Sequence, residues 1–393
     1  MKLVNMRIVG LTLLIGLVSA SCQDIVTYND GYNDGTASTG VPKILAIYDV
    51  GDTACITPLS EGSLEEMLHI TGSNLSGVKK VMFNDVEVPL SGIYAKAENA
   101  YLQIPRVIPG EVTNKLVYTT ELGEITYDFA VNTPELEVDG LYNEFALPGD
   151  TVEVNGNYFD LYGFTTDNSG AATITLNNEN VTIDSLTSEY MSIIIPKNAP
   201  DNAIISFNYI APGDVQTTKN IPYRQVQTLI WPDLANYSQY GIWGGSGYIT
   251  DGAATGEPTP LYGSYVRVKG SFSAWSWNNL PCGGFNFSNE DAANNQSDYY
   301  FKFEVNSASS SPFYSSTAGY IFQLNGGWYV WNPSSDISFN TYGKWQTIEI
   351  PLSNVATAGL STGWTNFYFI LQPSADWSLE HNFTNFRIEK KSF

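Results

Sequence analysis

LHITGSNLSGVKKVMFN (Leu68–Asn84) decides the fold, because a shorter counterpart, VEVNGNYFD (Val152–Asp160), holds the same place in a second copy of a longer pattern. In both, apolar and polar residues alternate as in a half-buried strand, and a glycine followed by a turn-forming asparagine then breaks the alternation. The first copy opens with PKILAIYDV at Pro42 and continues to YLQIP, ending at Pro105, and KLVYTTELGEITYDFAV (Lys115–Val131). The second opens with PELEVDGLY at Pro134 and continues to TITLNNENV (Thr173–Val181), SIIIP, ending at Pro196, and a hairpin pattern over Ile204–Tyr223. Gly72 aligns with Gly156 and Pro105 with Pro196, at offsets of 84 and 91. The same order at nearly the same spacing marks two copies of one unit. Short alternating strands closed by Gly and Asn turns predict a small β-sandwich for each, over 42–132 and 133–224.

The rest of the chain points the same way. Its 393 residues suffice for several domains, and 25 Tyr, 19 Phe and 9 Trp favour strands over helices. Past residue 22, only SLEEMLHI (Ser63–Ile70) approaches a helical period, and it is short enough to be one turn in a loop. The net charge of -22 argues against nucleic acid and against anionic lipid heads as partners, since phosphate is met by Lys and Arg. That charge is uneven: 23–224 carries 28 acidic and 9 basic residues, whereas 225–393 carries 12 and 7. The first part reads as a solvated, self-repelling spacer.

The N-terminus has a basic start (Lys2, Arg7), an apolar run from Ile8 to Val18, small residues (Ser19, Ala20, Ser21) and then Cys22. This is the layout of a secretory signal, too short for a membrane span. A cysteine directly after the small residues is the acylation site of a bacterial lipoprotein, which puts the lipid anchor on Cys22. Ser19 stands where such signals usually carry Leu, so plain secretion with cleavage nearby is the alternative. Residues 23–41 are polar, with two Asn-Asp-Gly repeats (Asn29–Gly31, Asn33–Gly35), and read as a flexible tether. Cys55 and Cys282 fall in different units and are expected to be buried free thiols rather than a disulfide.

From 225 the composition changes. All nine tryptophans lie beyond this point, and 34 of the last 169 residues are aromatic, against 19 in the preceding 224. GSYVRVKGSF (Gly263–Phe272), YYFKFEVN (Tyr299–Asn306), GYIFQLN (Gly319–Asn325), KWQTIEIPLS (Lys344–Ser353), TNFYFILQP (Thr365–Pro373) and FTNFRIEK (Phe383–Lys390) predict a larger sandwich over 225–393. So many rings exceed what a core needs, and an indole N–H requires a partner when buried, so part of the set is expected to face a ligand. Flat aromatic faces suit the C–H faces of pyranose rings, with planar amides taking the hydroxyls. Trp243 lies in the glycine-rich GIWGGSG. Trp275 and Trp277 lie in SAWSWNN, with Asn278 and Asn279 following; if that segment is extended, the two indoles share one face about 7 Å apart. Trp328 and Trp331 lie in NGGWYVWNP. Trp345 reads as core and Trp231 as a domain-junction residue, while Trp364 and Trp377 stay unassigned.

The turn pattern of the two repeats resembles the IPT/TIG immunoglobulin-like family, which implies that Gly72 and Gly156 sit in the turn after the second strand. KWQTIEIPLS followed by a terminal FTNFRIEK resembles the late strands of jelly-roll carbohydrate-binding modules. The whole order, from lipoprotein signal through tandem immunoglobulin-like units to a Trp-rich terminal sandwich, resembles the surface glycan-binding protein B family, of the xyloglucan-binding-domain type. That resemblance implies an all-β, non-catalytic outer-membrane lipoprotein that captures a β-linked polysaccharide, such as β-glucan, xyloglucan or β-mannan. It also implies neighbouring glycan importers of the starch-utilisation, SusC/SusD-like type as partners.

Two rivals remain. A β-sandwich glycoside hydrolase needs two carboxylates facing each other across a cleft. The terminal domain's acids show no Glu-x-Asp-x-x-Glu strand pattern, and Glu304 and Glu349 read as solvent-facing. His69 and His381 fall in different domains, so neither a Ser-His-Asp arrangement nor a histidine-rich metal site is indicated, and no cofactor is expected. A protein-binding adhesin fits the tandem spacers but gives no reason for a row of tryptophans.

Overall fold

Gly72 and Gly156 have the same steric reason to be glycine. A Cβ on Gly72 would stand 2.0 Å from the Lys43 carbonyl oxygen, and one on Gly156 would stand 2.2 Å from that of Glu137. Each glycine lies inside a strand, Met67–Ser73 or Thr151–Asn157, opposite a partner strand whose register shifts just beyond it, between Ile44 and Ala46 or between Val138 and Gly140. The glycines therefore do not occupy a turn, as the immunoglobulin-like resemblance implied. They let an irregular neighbouring strand press close. SLEEMLHI is not helical either: it ends one short strand, turns, and enters Met67–Ser73, burying Leu68 and Ile70.

The computed structural model describes residues 37–391 apart from 168, 315, 316, 318 and 334–338. The signal sequence, Cys22 and the tether up to residue 36 lie outside the described residues. None of the described helices is long and apolar enough to cross a membrane. The chain divides into two compact units, one up to Thr133 and one from Pro134 onward.

In the first unit two four-stranded antiparallel sheets enclose Ile47, Leu68, Ile70, Val81, Phe83, Leu102, Leu116, Tyr118 and Phe129. Cys55 there is only half-buried, 3.5 Å from His69 Nδ1, whereas Cys282 in the second unit is fully buried as expected. The second unit begins with the repeat sandwich, again two four-stranded sheets, over Glu137–Tyr223.

The second unit also contains the terminal sandwich. Five strands (Ile249–Thr250, Tyr265–Phe272, Trp377–Lys390, Tyr299–Ser307, Gln346–Pro351) face four (Asn278–Phe287, Gly363–Leu371, Tyr320–Leu324, Tyr329–Trp331), all antiparallel. Phe301, Phe303, Phe322, Phe367, Phe369, Phe383 and Phe386 interleave between the sheets. Each such ring stabilises by about 1.5–3 kcal/mol when taken from water. The aromatic excess is thus largely core. Trp231, expected at a domain junction, packs on Phe367 and Phe386 and donates its indole N–H to the Gly284 carbonyl at 3.2 Å.

The outer face of the five-stranded sheet, which the alternation leaves for solvent, is instead covered by the repeat sandwich. Glu144 of the repeat enters it, with Oε1 2.7 Å from Lys302 Nζ and Oε2 2.5 Å from Arg387 Nη2. Arg387 also meets Glu304 at 2.9 Å and Glu389 at 3.1 Å, and its guanidinium lies 4.8 Å from the centre of the Phe145 ring. Glu304 is therefore fully buried, not solvent-facing, while Glu349 stays partly exposed beside Lys302. Burial pushes the Glu304 and Glu389 carboxyls up. For Glu144 burial acts in the same direction, but Lys302 and Arg387 outweigh it and hold the carboxyl low. Main-chain bonds reinforce the seam: Thr347 N–H donates to the Tyr142 carbonyl and Glu144 N–H to Thr347 Oγ1, both at 2.8 Å.

Candidate functional site

The other sheet of this sandwich differs in kind. Its four strands read NNLPCGGFNF, GWTNFYFIL, YIFQL and YVW, without one Asp, Glu, Lys, Arg or His. Alternation sends Phe367, Phe369 and Leu371 inward and Trp364, Asn366, Tyr368 and Ile370 outward. Register places Gly284 beside Asn366, Cys282 beside Tyr368 and Gln323 on the far side of Tyr368. Cys282, Ile321 and Ile370 form a small apolar layer on this outer face with Tyr368 against them. The Cys282 thiol, pushed up to about 11 by burial, is a packing group.

Exposed indoles stand around that layer. Trp243 is 63% exposed and meets Tyr368 edge-to-face at 5.7 Å, carried by a loop hydrogen-bonded to the edge strand through Trp243 N–H to the Cys282 carbonyl. Trp277 and Trp328 tilt together, with centroids 5.7 Å apart. Trp364 lies over Gly284, where a Cβ would stand 2.7 Å from its Cε2, and is 59% exposed. The glycine gives the indole a flat seat.

Two of these rings are fixed by one device. Trp277 Nε1 donates to Asn279 Oδ1 at 3.0 Å, and Trp364 Nε1 donates to Asn366 Oδ1 at 3.3 Å. Residues two apart share a strand face, so each Trp-x-Asn pins its indole with the amide beyond it. The same Trp-x-Asn pattern is readable in the sequence at Trp364 and Asn366, where tryptophan content alone does not assign Trp364.

The remaining expected residues divide. Trp275 is exposed, but it sits in a turn with φ +60°, its N–H bound to the Pro373 carbonyl at 2.7 Å. The extended geometry that would pair it with Trp277 is absent. Asn278 does not face outward for a ligand: its amide donates to Ser276 and to the Leu371 carbonyl and braces the turn. Trp331 is a correction, 4% exposed and packed against Phe303 and Phe313 in the core. Its strand pairs Trp331 with inward Tyr320, so Val330 takes the outer position. Trp345 and Trp377 are buried as well. Among the described residues no three or more His, Cys, Asp or Glu gather as metal ligands would.

Residues 223–390 match the family model described as the surface glycan-binding protein B xyloglucan binding domain. No curated protein matches the chain. Among solved structures, the surface glycan-binding protein PbSGBP-B from Prevotella bryantii is alike in fold, with a TM-score of 0.54 and 18% identity over 90% of this chain and all of that one. The SGBP-B of a complex xyloglucan utilization locus in Bacteroides uniformis also matches, at TM-score 0.44 and 18% identity over 89% of this chain and 99% of that one. The match is carried by the sandwich that holds these rings, so what the chain shares with surface glycan-binding protein B is this xyloglucan-binding-type domain over residues 223–390.

Proposed function

We propose that this chain is a non-catalytic polysaccharide-binding protein whose ligand is a neutral, β-linked glycan of the β-glucan, xyloglucan or β-mannan type. One observation carries the reading: a sheet face free of charged side chains presents Trp243, Trp277, Trp328, Trp364 and Tyr368, two of the indoles pinned by amides. Equatorial sugars offer flat C–H faces to such rings, and Asn279, Asn366 and Gln323 lie among them for the hydroxyls. The family description supports the same class of ligand. Glycoside hydrolysis needs a pair of carboxylates at the bond, and no strand beneath the rings supplies one. The acids Glu304 and Glu389 serve instead in ion pairs on the opposite sheet. Cell-surface display through a lipid on Cys22, beside an outer-membrane importer, completes the proposal.

Affinity electrophoresis in gels containing each glycan, with analysis of released sugar, tests it. Retardation without hydrolysis is expected, and Trp364→Ala should weaken retardation. Free migration on every neutral β-glycan would refute the assignment, as would release of oligosaccharide.

A further inference from the structure

We infer that the cleft between the repeat sandwich and the terminal sandwich is a second, weaker subsite for one or two residues of a neutral sugar; this rests on the chain being a glycan binder. The cleft has a volume of about 570 Å³, within the range of small-molecule sites. Its walls include Tyr142, Asn143 and Glu153 from the repeat, and Tyr342 and Lys344 from the segment leading into Gln346–Pro351. It therefore lies at the edge of the five-stranded sheet, apart from the indole face.

Tyr342 lines this cleft. It is 73% exposed, more than any tryptophan on the other sheet, and has φ +53°. That left-handed conformation is strained for a non-glycine residue. Its N–H donates to Asn340 Oδ1 at 2.7 Å, and the Gly343 N–H donates to the Ser307 carbonyl at 2.8 Å, which fixes the turn. A strained turn thus holds an aromatic ring out in solvent, where packing gives nothing in return.

The polar groups suit hydroxyls rather than ions. The Glu153 carboxylate and the Lys344 ammonium make no hydrogen bond or ion pair among the described residues. Burial, and after it the charge of Glu153, pushes the Tyr142 phenol up. Tyr142 itself is a fixed wall, its hydroxyl donating to Gln346 Oε1 at 2.9 Å. An acceptor, an ammonium donor and the Asn143 amide lining one cleft can serve vicinal hydroxyls. Asp150 adds a second carboxylate, so acidic ligands are disfavoured.

The test follows backbone amides by NMR in the full chain during titration with cellohexaose and, separately, xyloglucan heptasaccharide. At about 10 mM sugar a millimolar site is largely filled. Two groups of shifts are expected, one around Trp277 and Trp364 and one around Tyr342 and Lys344. The variant Trp277→Ala/Trp364→Ala should lose only the first group. The variant Tyr342→Gly/Glu153→Gln keeps the turn conformation, and should weaken the second group at least about tenfold while leaving the first unchanged. Shifts on the indole face alone would overturn the subsite and leave the proposed function standing. Shifts at the cleft alone would support the subsite and overturn the indole site, and shifts at neither would overturn both.

Discussion

Replacing Glu144 with alanine removes the carboxylate that the repeat sandwich places among the charges of the terminal sandwich. Its oxygens lie 2.7 Å from Lys302 Nζ and 2.5 Å from Arg387 Nη2, and the side chain is almost fully buried. Breaking a buried pair by removing one partner costs about 3–5 kcal/mol. The lower end applies here, because Arg387 keeps Glu304 and Glu389, and loss of the Glu144 charge relieves repulsion that helps push Glu389 up. A loss of about 3 kcal/mol corresponds to a fall of roughly 6–12 °C in the transition of the unit that starts at Pro134. Scanning calorimetry of the full chain reads it directly. Wild type should melt the two sandwiches of this unit together, whereas Glu144→Ala should lower and split that transition, with Glu144→Gln between them. A change below about 1 kcal/mol would refute the reasoning, because Lys302 and Arg387 would then be satisfied by their own sandwich.

Other outcomes follow from the same geometry. Trp364→Ala should cost about 2 kcal/mol of glycan binding, roughly 30-fold in Kd by calorimetric titration, with little change in Tm. Trp331→Ala should do the reverse, losing about 3–5 kcal/mol of stability through a core cavity. Burial pushes His381 down to about 3, and its neutral ring accepts from the Tyr320 hydroxyl at Nδ1 and donates from Nε2 to the Ser311 carbonyl. The unfolded chain takes a proton below about pH 6.5 that the folded chain refuses, so stability should fall by up to about 1.4 kcal/mol per unit from there toward pH 3. Denaturant titrations of wild type and His381→Gln across that range should differ in slope. Gly72→Ala and Gly156→Ala should each destabilise their own sandwich severely by thermal melting, since the Cβ meets a paired carbonyl in both.

Repetition made the sandwiches legible, because the contact that demands Gly72 recurs at Gly156 in a sequence that is otherwise different. Trp243 and Trp277 were legible as exposed rings from their glycine-rich and polar surroundings. Trp331 was not, because a three-residue strand gives no alternation long enough to tell its faces apart. Trp364 was obscured for the opposite reason: its strand alternates cleanly, but which parity faces out depends on a partner sheet that the local sequence does not name. Glu304 misled because alternation reports only that a residue leaves the core. It cannot tell that another sandwich lies beyond, and the Arg387 and Glu144 that neutralise it are distant in sequence.

The concentration of charge on one sheet and its absence from the other has a consequence for selection among polymers. A neutral chain reaching the indole face displaces loosely held water and no counter-ions, so its binding should vary little between dilute and concentrated salt. A uronate-bearing chain meets a protein of net charge -22 and finds no cation on the four described strands of that sheet to replace its hydration. On the proposed function, the bare sheet should sort glycans by charge before any hydroxyl is read.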